Sequence, residues 1–450
     1  MGELKIGIFG TFDVQNYGDL LFPLLAEAEL SRRLGPISLR CFSYHARTTP
    51  EWPYSVTSLT DLSEAISTLD GVLIGGGFII RFDKNIAPGY GPPTPAIHHP
   101  TGYWLTPALM AIQCGLDVIW NAPGLHCNDI PSWGEPLLRL ALENSSYIAV
   151  RDELSKQSLE RFVDGERIVI AADTAFGIAN LIGEQPSIEI RRLREIYGLN
   201  HPYVIVQAAR GMEPFLSFVS ENSRKLKDLK LLVLPIGPVL GDQEKLLGND
   251  LPGLIRLPEW PHPLLIAELI RDAQAVIGHS YHLAVTAVAF GVPVFSPADL
   301  SQGKYTFLSR FRTVYPLPNK RETNAQFFIE RIGKALPSQA VIEITKRLTN
   351  HWDHVAEILK NRSTRPQTSL VPFWQTLPIL LDPAYYRPAE RLAACIEDQE
   401  RMEELNKIVA LARNEITARD ERINRLYNSP SMRVTTPLRF LMRKMKRLLE

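Results

Sequence analysis

Short apolar runs alternate with longer helix-patterned stretches through about the first 340 residues, and that alternation confines the chain to one fold class. Lys5–Gly10 (KIGIFG), Gly71–Ile74 (GVLI), Val118–Trp120 (VIW), Tyr147–Val150 (YIAV) and Ile168–Ala171 (IVIA) read as buried strands. They are short and rich in β-branched residues, and Gly, Asp or Asn turn signals follow them. Helical patterns such as Leu20–Leu34 and Arg151–Phe162 lie between them. A second series begins near Pro202, with strands expected at Tyr203–Gln207, Lys230–Pro235, Ala275–Gly278 and Pro293–Phe295. The order predicts mostly parallel sheets covered by helices. At 450 residues the chain is too long for one core, so we expect two Rossmann-like α/β domains, at 1–182 and 198–345. The polar segment Ile182–Tyr197 is the candidate connection between them. A ligand cleft is expected between the domains, outside the carboxyl ends of the strands.

The character of the chain then changes. Residues 346–390 read as a linker, whose proline- and aromatic-rich part, Pro366–Pro388, is expected to wrap back over the body. Residues 391–427 lack proline and glycine and read as one long helix. In it Met402, Leu405, Val409, Ala412, Ile416, Ile423 and Leu426 fall on alternating three- and four-residue steps, with Arg419 the breach. Such a seam suits a coiled coil and, through it, a homodimer. A surface helix packed on its own domain is the alternative. In 428–450, Arg433, Arg439, Arg443, Lys444, Lys446 and Arg447 stand among Phe440, Leu441, Met445 and Leu448. A basic amphipathic helix of this kind suits an anionic membrane face, a protein partner, or plain solvation.

Composition narrows the function class. Lys plus Arg equals Asp plus Glu at 49 each, so no overall field selects nucleic acid as a partner. Cys41, Cys114, Cys127 and Cys395 are scattered with no C-x-x-C pair, which argues against a disulfide framework or a thiolate zinc site. The start MGELKIGIFGTF lacks the features of a secretory signal, and no run of about 18 apolar residues occurs. We therefore expect a cytoplasmic protein, with peripheral contact to the inner face of the membrane through its tail.

Five segments could carry chemistry. Gly10–Asp19 (GTFDVQNYGD) joins a strand to a helix, where Asp19 can cap and free N–H groups favour an anion. Gly75, Gly76 and Gly77 permit either close approach to a ligand or tight packing. Arg151-Asp152-Glu153 can reach an anion, although the neighbouring acids favour a structural pair, and Asp173 reads as a helix cap. Arg210, after the first strand of the second series, can hold phosphate or carboxylate. Most informative is AVIGHSYHLAVTAVAFGVPVFSP, residues 275–297. There His279 and His282 flank a strand-to-helix turn without a third metal ligand, and a single histidine suits general acid–base work. Capping or core packing is the bland alternative for both.

Taken in order, these segments resemble the polysaccharide pyruvyltransferase family over residues 4 to 310. The matching pieces are N-Y-G-D at Asn16–Asp19, D-G-V-L-I-G-G-G at Asp70–Gly77 and V-R-D-E-L-S at Val150–Ser155. A-D-T-A-F at Ala172–Phe176 and H-L-A-V-T-A-V-A-F-G-V-P-V at His282–Val294 complete the set. The resemblance implies a GT-B-like pair of domains, phosphoenolpyruvate as co-substrate with no metal or other cofactor, and a sugar of a cell-surface polysaccharide or its precursor as acceptor. The product would be a pyruvate ketal and His282 the general acid. Asn16, Gly18, Asp19, Gly75, Gly76, Gly77, Arg210, His279 and Ser280 would contact substrate. His126, in PGLHCN where the family has a glycine-rich G-Q-G-I-G-P, would supply local charge. One departure concerns the donor: Ser280-Tyr281-His282 stands where the family has Arg-Leu-His, so the acid is kept and an anion-binding arginine is lost. Ser429–Arg439 (SPSMRVTTPLR) is similar to an element at the ends of many surface-polysaccharide glycosyltransferases. The competing expectations are a GT-B-like glycosyltransferase using a nucleotide-sugar, and a non-catalytic scaffold.

Overall fold

The computed structural model describes residues 3–50, 52–82, 100–125, 130–131, 133–243, 253–318, 325–333, 338–361, 370–380 and 383–427. Two compact units emerge, Met1–Gln375 and Thr376–Glu450. The first holds two parallel sheets. One is ordered β3-β2-β1-β4-β5-β6-β7, from β1 (Leu4–Phe9), β2 (Ile37–Ser43), β3 (Val56–Ser58), β4 (Gly71–Ile74), β5 (Asp117–Trp120), β6 (Tyr147–Val150) and β7 (Ile168–Ile170). The other is ordered β10-β9-β8-β11-β12-β13, from β8 (Tyr203–Gln207), β9 (Lys230–Leu234), β10 (Leu254–Arg256), β11 (Ala275–Ile277), β12 (Val294–Ser296) and β13 (Val314–Pro316). Strands β4, β5, β6 and β8 are buried at every position, which is why they read as unbroken apolar runs rather than alternating ones. In both sheets the order reverses beside the first strand, the place where doubly wound folds open a crevice.

Two helices meet at that crevice. Helix α1 (Tyr17–Leu34) follows β1, and α2 (Tyr281–Ala289) follows β11. The N-cap of α1 is Asn16, so Asp19 lies in the first turn and is not the capping residue its position suggested. The start of α1 is tied to the second sheet domain: the Tyr17 N–H donates to the Ile236 carbonyl at 2.9 Å, and the Tyr17 and Thr286 hydroxyls share a 2.8 Å hydrogen bond. The predicted connection at Ile182–Tyr197 contains a helix, Ile188–Tyr197, with Ser187 accepting from the Ile190 N–H and left-handed Gly198 closing it. Its Arg194 pairs with Asp272 of the second sheet domain.

The expected boundary at residue 345 falls inside a helix, α3 (Gln339–Lys360). Ile344, Leu348, His351, Trp352, Val355, Ala356 and Leu359 form its buried stripe, at the three- and four-residue spacing of an amphipathic helix. That stripe packs back onto the first sheet domain. Arg33 of α1 pairs with Asp353 at 2.7 Å, and a methyl group on Gly71 would lie 2.6 Å from Cδ2 of Leu359. His351 is held between Asn121 Oδ1 at 2.9 Å and the Tyr147 hydroxyl at 3.3 Å. Asn121 Oδ1 can only accept, so His351 donates through Nε2 and takes the Tyr147 proton on Nδ1, the neutral imidazole. Burial, then the charges of His354 and Arg33, pushes its pKa down to about 3.

A depressed histidine pKa means that the unfolded chain binds the proton more readily. Stability from this group is therefore complete above the unfolded value near 6.5 and is lost as pH falls toward 3. Over that window each pH unit costs about 1.4 kcal/mol. Urea melts between neutral and mildly acidic pH should show wild-type stability falling by up to one proton's slope more than that of His351→Gln. Equal slopes would mean that the imidazole is not what α3 docking protects.

In the second unit, α4 (Pro383–Tyr427) is one continuous helix. It begins ahead of the predicted Arg391, with Pro383 at its first position, where no intrahelical N–H is needed. Residues 383–390, expected in the wrapping segment, are thus helical. Met402, Leu405, Val409, Ile416 and Ile423 are exposed on it. No helix among the described residues is long and apolar enough to cross a membrane. The basic tail at 428–450 and His126 lie outside the described residues.

Candidate functional site

Between the two sheets, at the carboxyl ends of their strands, lies a cleft of about 820 Å³. Asn16 and Asp19 from the start of α1 line it, and so do His279, Ser280 and His282 at the start of α2. The two helices meet at Gly18. A methyl group there would sit 1.8 Å from Nδ1 of His282, so only glycine leaves room for the imidazole. The edge of Phe22 supports the ring from the side, at 5.5 Å between centroids.

Behind His282 is Asp173, 1% exposed. Its Oδ2 stands 3.5 Å from His282 Nε2 and 3.6 Å from Arg151 Nη1, while its Oδ1 accepts from the Ala175 N–H at 3.0 Å. Burial alone would raise the Asp173 pKa. His282, Arg151 and the Ala175 N–H together outweigh that and hold it below the usual carboxylate range. The preceding residue, Ala172, has φ 79°, a left-handed conformation costly for alanine. That turn after β7 aims Asp173 at the histidine. Neither Asp173 Oδ2 nor His282 Nε2 has a hydrogen-bond partner among the described residues, so at 3.5 Å the two stand within ion-pair range without a formed hydrogen bond.

Arg151 was read from its acidic neighbours as structural. It does pair with Asp152, at 3.1 Å, but it also lines the cleft with its side chain 1% exposed. Its guanidinium lies 4.0 Å from the Phe78 ring centroid and 5.1 Å from that of Tyr281, and Nη2 has no hydrogen-bond partner among the described residues. Lys304 follows the same wall. Its Nζ is 5.9 Å from Phe78, 6.0 Å from Tyr281 and 5.2 Å from Tyr305. Burial, followed by the Arg151 charge, pushes the lysine down to about 8, against the pull of Asp19 and Asp173. In sequence Lys304 sits in a polar, glycine-containing stretch with no motif to mark it. Only the folding of the Gly303–Arg310 turn over Tyr281 brings it to the cleft.

The other expected residues fall elsewhere. Gly75, Gly76 and Gly77 do not line the cleft. Methyl groups on them would lie 2.5 Å from the Phe9 carbonyl, 2.5 Å from the Phe22 ring and 3.2 Å from Phe22 again, so the triplet is a packing device that delivers Phe78 to the wall. Arg210 is exposed and is not brought to the cleft. The turn before α2 is held from below, because Gln207 Oε1 accepts from the N–H groups of His279 and Ser280 at 2.9 and 2.8 Å. Gln207 Nε2 in turn donates to Asp242, and Ser280 Oγ caps α2 by accepting from Leu283. These N–H groups are consumed by the protein itself.

Residues 16–296, from the cap of α1 to the end of β12, match the family model for polysaccharide pyruvyl transferase. The chain belongs to this family. His282, Asp173 and Arg151 lie inside the matched span, and Lys304 lies beyond its end. Membership makes the chain a transferase, with donor and sugar-acceptor substrates. Among solved structures, one from Listeria monocytogenes described as a UDP-N-acetylglucosamine 2-epimerase is similar with a TM-score of 0.51 and 12% identity, over 81% of this chain and 99% of that one. The UDP-GlcNAc 2-epimerase of Neisseria meningitidis bound to UDP-GlcNAc is similar with a TM-score of 0.50 and 13% identity, over 80% of this chain and all of its own, 100%. At such identities the likeness shows the fold, two Rossmann-like domains in a GT-B-like arrangement, and nothing of the substrate. No curated protein matches the sequence significantly.

Proposed function

We propose that this family member transfers a pyruvyl group from phosphoenolpyruvate to two hydroxyls of one sugar in a cell-surface polysaccharide or its precursor, forming a ketal. The observation that carries this reading is His282 at the cleft with a buried carboxylate, Asp173, as counter-charge and a buried guanidinium beside it. Protonated His282 gives its proton to the methylene carbon of the donor, making it a methyl group and leaving a cation-like centre at the adjacent carbon. The first sugar hydroxyl bonds to that centre, and its proton restores the histidine. The second hydroxyl bonds to the same carbon as the carbon–oxygen bond to phosphate breaks, and its proton leaves with inorganic phosphate. Asp173 keeps the imidazole oriented and its charge balanced through both halves.

The test is phosphate release from phosphoenolpyruvate with a panel of hexose and amino-sugar glycosides, read with the product mass. The expected product is heavier by one pyruvic acid less one water. His282→Ala should lower turnover about 100- to 10,000-fold, the usual contribution of a general acid. A His282→Ala enzyme with near-wild-type turnover would remove the assigned acid. Thermal stabilisation by a nucleoside diphosphate, with none by phosphoenolpyruvate, would favour nucleotide-sugar glycosyl transfer instead.

A further inference from the structure

We propose that Arg151 and Lys304, which line one cleft against the rings of Phe78 and Tyr281, form the phosphate site of the donor. They would take the part of the arginine that the resembling family carries where this chain has Ser280. The inference rests on the phosphoenolpyruvate reading above and adds the residues that would hold the leaving group. Four observations lead to it. Arg151 is 1% exposed at its side chain, lines the cleft, and has an Nη2 without a partner among the described residues, an arrangement that a ligand would complete. Lys304 lines the same cleft and makes no ion pair among the described residues. The two cations lie against the same two rings, Arg151 at 4.0 and 5.1 Å and Lys304 at 5.9 and 6.0 Å from the centroids of Phe78 and Tyr281, and the Arg151 charge is felt at Lys304. The obvious alternative donors are occupied or distant. The His279 and Ser280 N–H groups are taken by Gln207, Arg210 is outside the cleft, and Arg81, which also lines it, already has a partner.

Two convergent cations suit a phosphate dianion better than a single carboxylate. The position also suits the chemistry. Arg151 shares Asp173 with His282, at 3.6 and 3.5 Å, so a phosphate held on Arg151 sets the donor's carbon within reach of the acid. The lowered Lys304 pKa gives the site a signature: the free amine is uncharged above about 8, and phosphate must bind the charged form.

The experiment measures inorganic phosphate and, separately, pyruvate binding to the full chain by calorimetry and thermal shift. Lys304→Met and Lys304→Arg are compared with wild type. Phosphate should bind wild type and weaken steadily as pH rises through about 8. Lys304→Met should bind phosphate about ten- to a hundredfold more weakly, the loss expected for one charged hydrogen bond. Lys304→Arg, which stays charged, should keep binding at high pH. Phosphate bound equally by Lys304→Met, or pyruvate binding as tightly as phosphate, would overturn the assignment. The two readings fail separately. Lys304-dependent phosphate binding without turnover of phosphoenolpyruvate on any acceptor would sink the function while keeping the anion site. Turnover with an unchanged KM for phosphoenolpyruvate in Lys304→Met would do the reverse.

Discussion

Gly18→Ala should lower turnover about a hundredfold or more while leaving the chain folded. Position 18 is the second residue of α1, and inside a helix alanine is ordinarily preferred over glycine by about 1 kcal/mol. Local propensity therefore favours the substitution. Contact opposes it, because the new methyl would lie 1.8 Å from Nδ1 and 2.2 Å from Cγ of His282. One of the two must move. The start of α1 is pinned by Tyr17 to Ile236 and Thr286, and the turn before α2 is pinned by Gln207. The imidazole is the looser part, with 13% of its side chain open to the cleft, so it swings and leaves Asp173. A misplacement of about 1 Å at a reacting group commonly costs about a hundredfold in rate. Gly177→Ala is the matched control, since its methyl would meet only Leu25 Cδ2 at 3.7 Å. Steady-state kinetics beside thermal melts decide the matter. Full turnover in Gly18→Ala would mean that the contact with His282 does not set the acid's position.

The sequence carried the frame of this site better than its charges. Strands such as GVLI and YVIVQ were legible because both of their faces are buried, leaving unbroken apolar runs. β2 (ISLRCFS) was missed because polar and charged residues interrupt it, and β3, β10 and β13 because three residues such as VTS, LIR or VYP carry no period. Domain membership of α3 was equally hidden, because an amphipathic stripe says that a helix packs but not on which sheet. His282 could be picked out because a strand-to-helix turn is a local pattern. Arg151 could be seen but not weighed. Its neighbour Asp152 is adjacent in sequence, whereas Asp173, Phe78 and Tyr281, which turn it toward the cleft, come from three other segments. Lys304 was invisible for the same reason in stronger form. The Gly75–Gly77 triplet was conspicuous as a local pattern, but the groups it passes closely, Phe9, Phe22 and Asp19, come from other segments, so sequence alone could not separate packing from ligand approach.

Arg151→Met should destabilise the protein by about 3–5 kcal/mol, the cost of leaving a buried charge without its partner. The partner that suffers is Asp173, 1% exposed, rather than Asp152, whose side chain keeps 15% exposure and can turn to water. The pH dependence identifies the cause. In the wild type Asp173 is held below the usual carboxylate range, so its stabilising contribution is present above the unfolded value of 3.8 and is lost only as pH falls below that. Without Arg151 one of the groups that offset burial is gone, so the Asp173 carboxyl in Arg151→Met takes up a proton more readily than in the wild type, with His282 and the Ala175 N–H still holding it. The cost of Arg151→Met relative to wild type should therefore shrink as pH is lowered into the acidic range, where the variant's Asp173 is protonated ahead of the wild type's. Arg151→Met combined with Asp173→Asn should recover much of the loss at neutral pH, because the uncompensated charge is gone. That double variant should still fail to bind phosphate, since stability returns without the cation. Urea denaturation of the four proteins at two pH values is sufficient. A single-variant cost under about 1 kcal/mol, or a double variant no better than Arg151→Met, would show that Arg151 does not compensate Asp173.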